Sequence, residues 1–193
     1  MKKYAAFLDR DGTICEEVNY LSKAEDLRLF PDAVQAIKLL NENGFLVILI
    51  TNQSGLARGF FDEKALREIH KKLAEELAKS GAKLDAIYFC PHNSADNCDC
   101  RKPKTGMIRQ AAADFAIDLQ NSWMIGDKTI DVETGFNAET KTALVLTGYG
   151  KKAVVELERK PDLIAENLLE AVGKITNFKL RITNVSDTKI RNS

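Results

Sequence analysis

Two aspartates stand two residues apart where a short apolar run ends, in Asp9-Arg10-Asp11-Gly12-Thr13. On an extended segment such residues face the same side, so both carboxylates converge at the end of the run. Carboxylates that close repel each other unless a cation lies between them, and an all-oxygen ligand set suits Mg²⁺. Gly12 permits a tight turn that brings backbone near a bound anion. A turn carrying two solvated acids is the plainer reading, because Asp-Gly pairs are common in turns. A second apolar run ends in Thr51-Asn52-Gln53-Ser54-Gly55. Its hydroxyl and amides offer neutral hydrogen bonds to phosphoryl oxygens, although a capped turn into a helix would use the same residues.

A third group is Cys90-Pro91-His92, then five residues, then Cys98-Asp99-Cys100. Three thiolates and an imidazole fill a tetrahedral Zn²⁺ shell with no open position, which marks a structural site. Arg101, Lys102 and Lys104 follow at once, so a metal clip there would hold cations rigidly where an anion binds. In Gly126-Asp127-Lys128, Asp127 is expected as a further magnesium carboxylate, with Asp131 one helical turn on to orient it. Both acids also suit a helix N-terminus. His70 reads as a surface residue on an amphipathic helix, and Cys15 as structural or incidental.

The elements that must position these groups alternate along the chain. Runs at 4–8, 45–50, 86–89, 122–125 and 142–146 are too short for helices and read as buried strands. Helical spacing marks 31–44, where Pro31 opens and Gly44 caps, and 66–81, where Leu66, Ile69, Leu73 and Leu77 share a face. Further helices are expected at 106–115, 131–138 and 153–159, and 162–172 closes the fold. The expected class is α/β: one Rossmann-like three-layer domain over 1–176, with a mainly parallel sheet and the zinc loop after its third strand. Ligands bind at the carboxyl ends of such strands, which is where all four groups fall. Residues 177–193 read as a polar tail.

Bulk properties exclude several classes of partner. Lys plus Arg and Asp plus Glu both number 28 among 193 residues, so no net field draws the chain to nucleic acid or anionic lipid. No apolar run near the start is long enough for a signal or a membrane span. A cytoplasmic monomer acting on a small phosphorylated metabolite is expected, and its clustered thiols then point to metal rather than disulfide.

A phosphate monoester resists hydrolysis because its anionic oxygens repel nucleophiles and its alkoxide leaves poorly. Mg²⁺, Lys102 and Thr51 would neutralise those oxygens while one carboxylate attacks and another protonates the leaving group. With Asp9-x-Asp11-Gly12-Thr13, Thr51, Lys102 and Gly126-Asp127-x-x-x-Asp131 in order, the chain resembles the haloacid dehalogenase-like phosphatase superfamily. The resemblance implies Asp9 as nucleophile, Asp11 as general acid and then base, and Mg²⁺ held by Asp9, the Asp11 carbonyl and Asp127. The short 13–31 connection and the zinc loop are similar to the capless zinc-bearing subgroup, whose members act on histidinol phosphate or heptose bisphosphate. Residues 51–59 are closer to the heptose enzymes. Substrate contacts are then expected from Glu17, Asn19 and Tyr20 on one side and Asn52, Gln53, Ser54, Arg58, Arg101, Lys104 and Lys128 on the other. A non-catalytic zinc module that binds phosphorylated ligands is the alternative. Two acids in its site would work against it.

Overall fold

The computed structural model describes residues 3–177. Six strands form one parallel sheet: β1 (Tyr4–Leu8), β2 (Phe45–Asn52), β3 (Ala86–Cys90), β4 (Trp123–Gly126), β5 (Lys141–Val145) and β6 (Leu163–Ala165). Their order across the sheet is β3-β2-β1-β4-β5-β6. The helices are α1 (Ala33–Glu42), α2 (Glu63–Ala78), α3 (Gly106–Phe115), α4 (Thr129–Asn137), α5 (Gly150–Glu156) and α6 over residues 168–177.

Strand residues alternate between two cores because successive side chains leave a strand on opposite faces. Ala6, Leu8, Val47 and Leu49 join one core with Ile37 and Leu40 of α1, Ile69 and Leu73 of α2, and Val172 of α6. Ala5, Phe7, Ile48 and Ile50 join the other with Met107, Ile108 and Ala111 of α3. Val132, Leu144 and Ala153 extend that second layer under α4 and α5. Both faces of the sheet are thus covered, as parallel strands require.

The chain builds outward from β1 to β3, then returns to place β4 on the other side of β1. This reversal makes the carboxyl ends of β1 and β4 the switch point, where such sheets open a crevice. Neither the connection after β1 nor the one after β3 carries a cap domain.

The closing stretch expected at 162–172 is divided between β6 and the start of α6. Three residues are too few to display a strand period. The polar tail expected over 177–193 lies, from residue 178 on, outside the described residues. Among the described residues, no helix is long and apolar enough to cross a membrane.

Candidate active site

Asp9 follows β1 and Asp127 follows β4, so the switch point sets the two side by side. Carboxylate oxygens of Asp9, Asp127 and Asp131 all lie within 4.8 Å of one another. Lys102 reaches into this group, its Nζ 2.8 Å from Asp9 Oδ1 and 2.6 Å from Asp131 Oδ1. Burial pushes the Asp9 carboxyl up, but the positive charges of Lys102 and Lys128 outweigh it and hold Asp9 below the usual carboxylate range. Burial likewise opposes the Lys102 charge, and Asp131 and Asp9 overcome it. Asp131 also accepts the Lys128 N–H at 3.0 Å, which ties it to the first turn of α4.

Asp127 is the member of the group with an unmet demand. Its Oδ2 accepts the Tyr149 N–H at 2.8 Å, while its Oδ1 is buried without a hydrogen-bond partner. Burial and then the negative charge of Asp9 push its carboxyl up to about 7. An orphaned oxygen beside a second ionised carboxylate is a site a divalent cation satisfies, and oxygen donors fit Mg²⁺.

Two glycines allow backbone to close on this carboxylate. A Cβ at Gly12 (φ +86°) would come 2.1 Å from Asp127 Oδ2, and one at Gly148 (φ +50°) would come within 2.2 Å. Neither site admits a side chain. The loop after β5 completes the wall, with Thr147 Oγ1 donating to the Gly12 carbonyl at 2.6 Å. The motifs gave no warning of residues 147–149. A glycine immediately beyond a fifth strand end was the available signal.

Asp11 lies outside the close carboxylate group. Its side chain is gripped by Arg10, with Nε–Oδ1 and Nη2–Oδ2 both 2.9 Å. Gln53 Nε2 donates to Asp11 Oδ2 at 3.1 Å and to Thr51 Oγ1 at 2.9 Å, while its Oε1 accepts Arg10 Nη2 at 3.1 Å. Arg10 is fully buried. It carried no functional reading in the sequence, because a residue between two motif acids is expected to point away from them.

His70 is a correction: it is buried, not on the surface, and its Nε2 lies 3.4 Å from Arg10 Nη1. It follows Ile69 and stands one turn from Leu66 and Leu73, so it belongs to the edge of the apolar stripe of α2. Burial and then the Arg10 charge hold its pKa down to about 4. Cys15 is buried as well, its thiol 3.7 Å from Asp11 Oδ1.

Beyond β3, ligand atoms of Cys90, His92, Cys98 and Cys100 form a second close group. The sulfurs are 3.1–3.6 Å apart, and His92 turns Nδ1 to Cys100 at 3.3 Å and to Cys90 at 3.6 Å. A tetrahedral Zn²⁺ with bonds of about 2.3 Å to sulfur has S–S edges of about 3.8 Å, so these donors need little movement to hold it. The loop is tied to the first site. Asn52 grips the Lys102 backbone through both amide atoms, at 3.0 and 3.2 Å.

The rim residues divide between the crevice and internal partners. Asn52 and Gln53, expected against substrate, use their amides on Lys102 and on the Arg10–Asp11 pair. Lys104 turns to Asn97, donating at 2.8 Å to its Oδ1, and so braces the zinc loop. Arg101 donates one Nη1–H to the His92 carbonyl at 3.0 Å. Lys128 pairs with Glu17 at 2.7 Å and lies 5.2 Å from the Tyr149 ring centre. Tyr20 (φ 61°) meets Phe60 edge-on at 4.6 Å, with the Arg58 guanidinium 5.8 Å from its ring. Asn19 is exposed, and half-buried Ser54 accepts the Arg58 N–H through its carbonyl at 3.1 Å.

The chain is 40% identical over 179 residues to D-glycero-beta-D-manno-heptose-1,7-bisphosphate 7-phosphatase of Haemophilus ducreyi, covering 89% of this chain and 98% of the relative. Identity to the D-glycero-D-manno-heptose-1,7-bisphosphate 7-phosphatase of Thermosynechococcus vestitus is 41% over 186 residues, covering 89% and 95%. This chain belongs to the HAD-like heptose-bisphosphate phosphatases. A HAD-hydrolase-like family model matches residues 99–171 of this phosphatase. The crystal structure of D,D-heptose 1,7-bisphosphate phosphatase from B. bronchiseptica, complexed with magnesium and phosphate, superposes with a TM-score of 0.86 at 35% identity, covering 92% of this chain and 99% of that one. As a member of this family the protein is a hydrolase of phosphate monoesters.

Proposed function

We propose that this phosphatase removes the 7-phosphate of D-glycero-D-manno-heptose 1,7-bisphosphate through an aspartyl-phosphate on Asp9. The observation that carries the mechanism is the buried Lys102–Asp9 pair beside the orphaned oxygen of Asp127. The names of the relatives support the substrate. Asp9, Asp127 and the Asp11 carbonyl would hold Mg²⁺, which when bound neutralises phosphoryl oxygens and offsets the repulsion between the two acids.

Asp9, ionised under the charges of Lys102 and Lys128, attacks phosphorus while the bond to the 7-oxygen breaks. Asp11 gives that oxygen its proton, then takes one from the water that cleaves the acyl phosphate, which releases inorganic phosphate and restores Asp9. Lys102 and the Thr51 hydroxyl steady the phosphoryl oxygens in both steps. Asp131 holds Lys102 in place. A monomer is part of the same reading, and zinc-binding thiols suit a reducing cytoplasm.

Arg101 keeps donors beyond the one given to His92, so it is the group proposed for the second phosphate of the substrate. Arg101→Ala should lower kcat/KM for the bisphosphate by about 10–100-fold, the worth of one charge-assisted contact, with little change for 4-nitrophenyl phosphate. Equal losses on both substrates would remove Arg101 from recognition. A panel of both heptose bisphosphate anomers, histidinol phosphate and fructose 1,6-bisphosphate tests the substrate itself. Histidinol phosphate turned over tenfold better or more would displace this reading.

The cysteine and histidine cluster is proposed as a structural Zn²⁺ site. Protein purified without added metal should carry one zinc per chain by elemental analysis. Chelation should depress activity more than thermal stability, because the sheet has its own core while the loop places Lys102. Finding no zinc, or a loss of stability with activity kept, would overturn the assignment.

A further inference from the structure

Arg10 and His70 are buried, charged or titratable, and given no part in the chemistry above. Burying a guanidinium is costly unless its donors are met, and Arg10 meets them in a consistent pattern. Two N–H groups fork onto the Asp11 carboxylate at 2.9 Å each, one reaches Gln53 Oε1 at 3.1 Å, and Nη1 faces His70 Nε2 at 3.4 Å. Arginine only donates hydrogen bonds. His70 Nε2 must therefore accept, which fixes a neutral ring with its proton on Nδ1. Gln53 is fixed by the same logic: its oxygen faces Arg10, so its amide nitrogen faces both Asp11 and Thr51.

Resting on the reading of Asp11 as the general acid, we propose that Arg10 is its positioning residue, and that His70 on α2 holds Arg10 by accepting one Nη1–H. The forked pair removes two rotations from the Asp11 side chain and stabilises the carboxylate that remains once its proton has passed to the leaving oxygen. Gln53 then couples the acid to the hydroxyl that faces the phosphoryl group. His70 extends this chain of contacts to α2, whose apolar face is part of the domain core. The acid is thereby aimed by the packing of a helix more than fifty residues away in sequence. Neither residue touches substrate in this proposal. Each acts through Asp11.

A positioned acid matters most when the leaving group is poor, and that separates aiming from mere folding. The test is kcat/KM on phenyl phosphate and 4-nitrophenyl phosphate, which share a shape and differ in how readily the phenol leaves. This ratio reports only steps up to transfer onto Asp9. Asp11→Asn is the control and should cost about 10²–10⁴-fold on phenyl phosphate, with a much smaller loss on the nitrophenyl ester. Arg10→Lys and His70→Leu should reproduce that bias at about tenfold to a hundredfold, the usual cost of displacing a catalytic group by an ångström or less. His70→Gln, whose Oε1 can take the place of Nε2, should recover most of it.

Equal losses on both esters in Arg10→Lys and His70→Leu, with the control biased, would overturn the positioning role and leave the acid in place. A control without bias would instead overturn Asp11 as the acid. An independent readout needs no turnover: His70 is one of only two histidines. Nitrogen-15 spectra of the purified enzyme should show it neutral and protonated on Nδ1 at pH 6–8. A proton on Nε2, or a charged ring there, would sink the proposal.

Discussion

Asp9→Asn is expected to lower kcat by at least about 10⁴-fold, because the step it removes is bond formation to phosphorus itself. An amide is a poor nucleophile and cannot form the acyl phosphate. The fold should persist. Asn is isosteric with Asp, its oxygen can still accept from Lys102 Nζ, and the strand beneath is held by β2 and β4 on either side. The comparison is steady-state turnover against a thermal melt by circular dichroism. Turnover within tenfold of wild type would refute covalent catalysis at Asp9.

Lys102→Met should strike activity and stability together. The ammonium sits between Asp9 and Asp131, and all three side chains are 6% exposed or less. Removing one partner of such a group leaves charge buried without compensation, at a cost of about 3–5 kcal/mol. The sign of its pH dependence follows from the same balance. In the wild type Lys102 opposes the burial that pushes Asp9 up; without it burial prevails and the folded carboxyls titrate higher. A carboxylate with a raised folded pKa costs stability above that value and nothing well below its unfolded value of about 4. The deficit should be large at pH 8 and shrink toward pH 5, measured by urea unfolding without added Mg²⁺. Activity should fall by about 10²-fold or more, the usual scale for one electrostatic stabiliser. A deficit independent of pH would mean that the lost methylene packing, not the charge, sets the cost.

Much of this was legible from residue type and order. Five strands announced themselves as apolar runs with polar ends, and a mainly parallel sheet follows from their alternation with helices; the switch point needed the strand order. Asp9, Thr51 and Asp127 were readable because each sits at or just beyond a strand end, where position alone decides orientation, whereas Lys102 was read from its place after the cysteine and histidine cluster and Asp131 from its spacing of one helical turn from Asp127. Arg10 and His70 were not. An arginine between two exposed-looking acids reveals its burial only when the fold supplies Gln53 and α2 around it. His70 was misread because a histidine at the flank of an apolar stripe is assigned by polarity, whereas here a buried donor needs it as an acceptor. Asn52 and Gln53 were expected against substrate from their place at the end of β2, but only side-chain direction shows them holding other residues.

The order β3-β2-β1-β4-β5-β6 has a consequence for synthesis. β1 lies at the centre of the sheet and is made first, yet the partner on its second side, β4, begins only at Trp123. Until more than a hundred further residues have left the ribosome, the strand that leads to the nucleophile offers an unpaired edge. Long-range parallel pairings form slowly, and open edges invite association with other chains. Crowding of nascent chains, rapid translation or loss of a holdase should therefore reduce the yield of this protein before they affect the specific activity of what folds. The hydrogen bond from Thr147 to Gly12 closes the crevice across 135 positions, so no amino-terminal fragment ending before it carries a complete site.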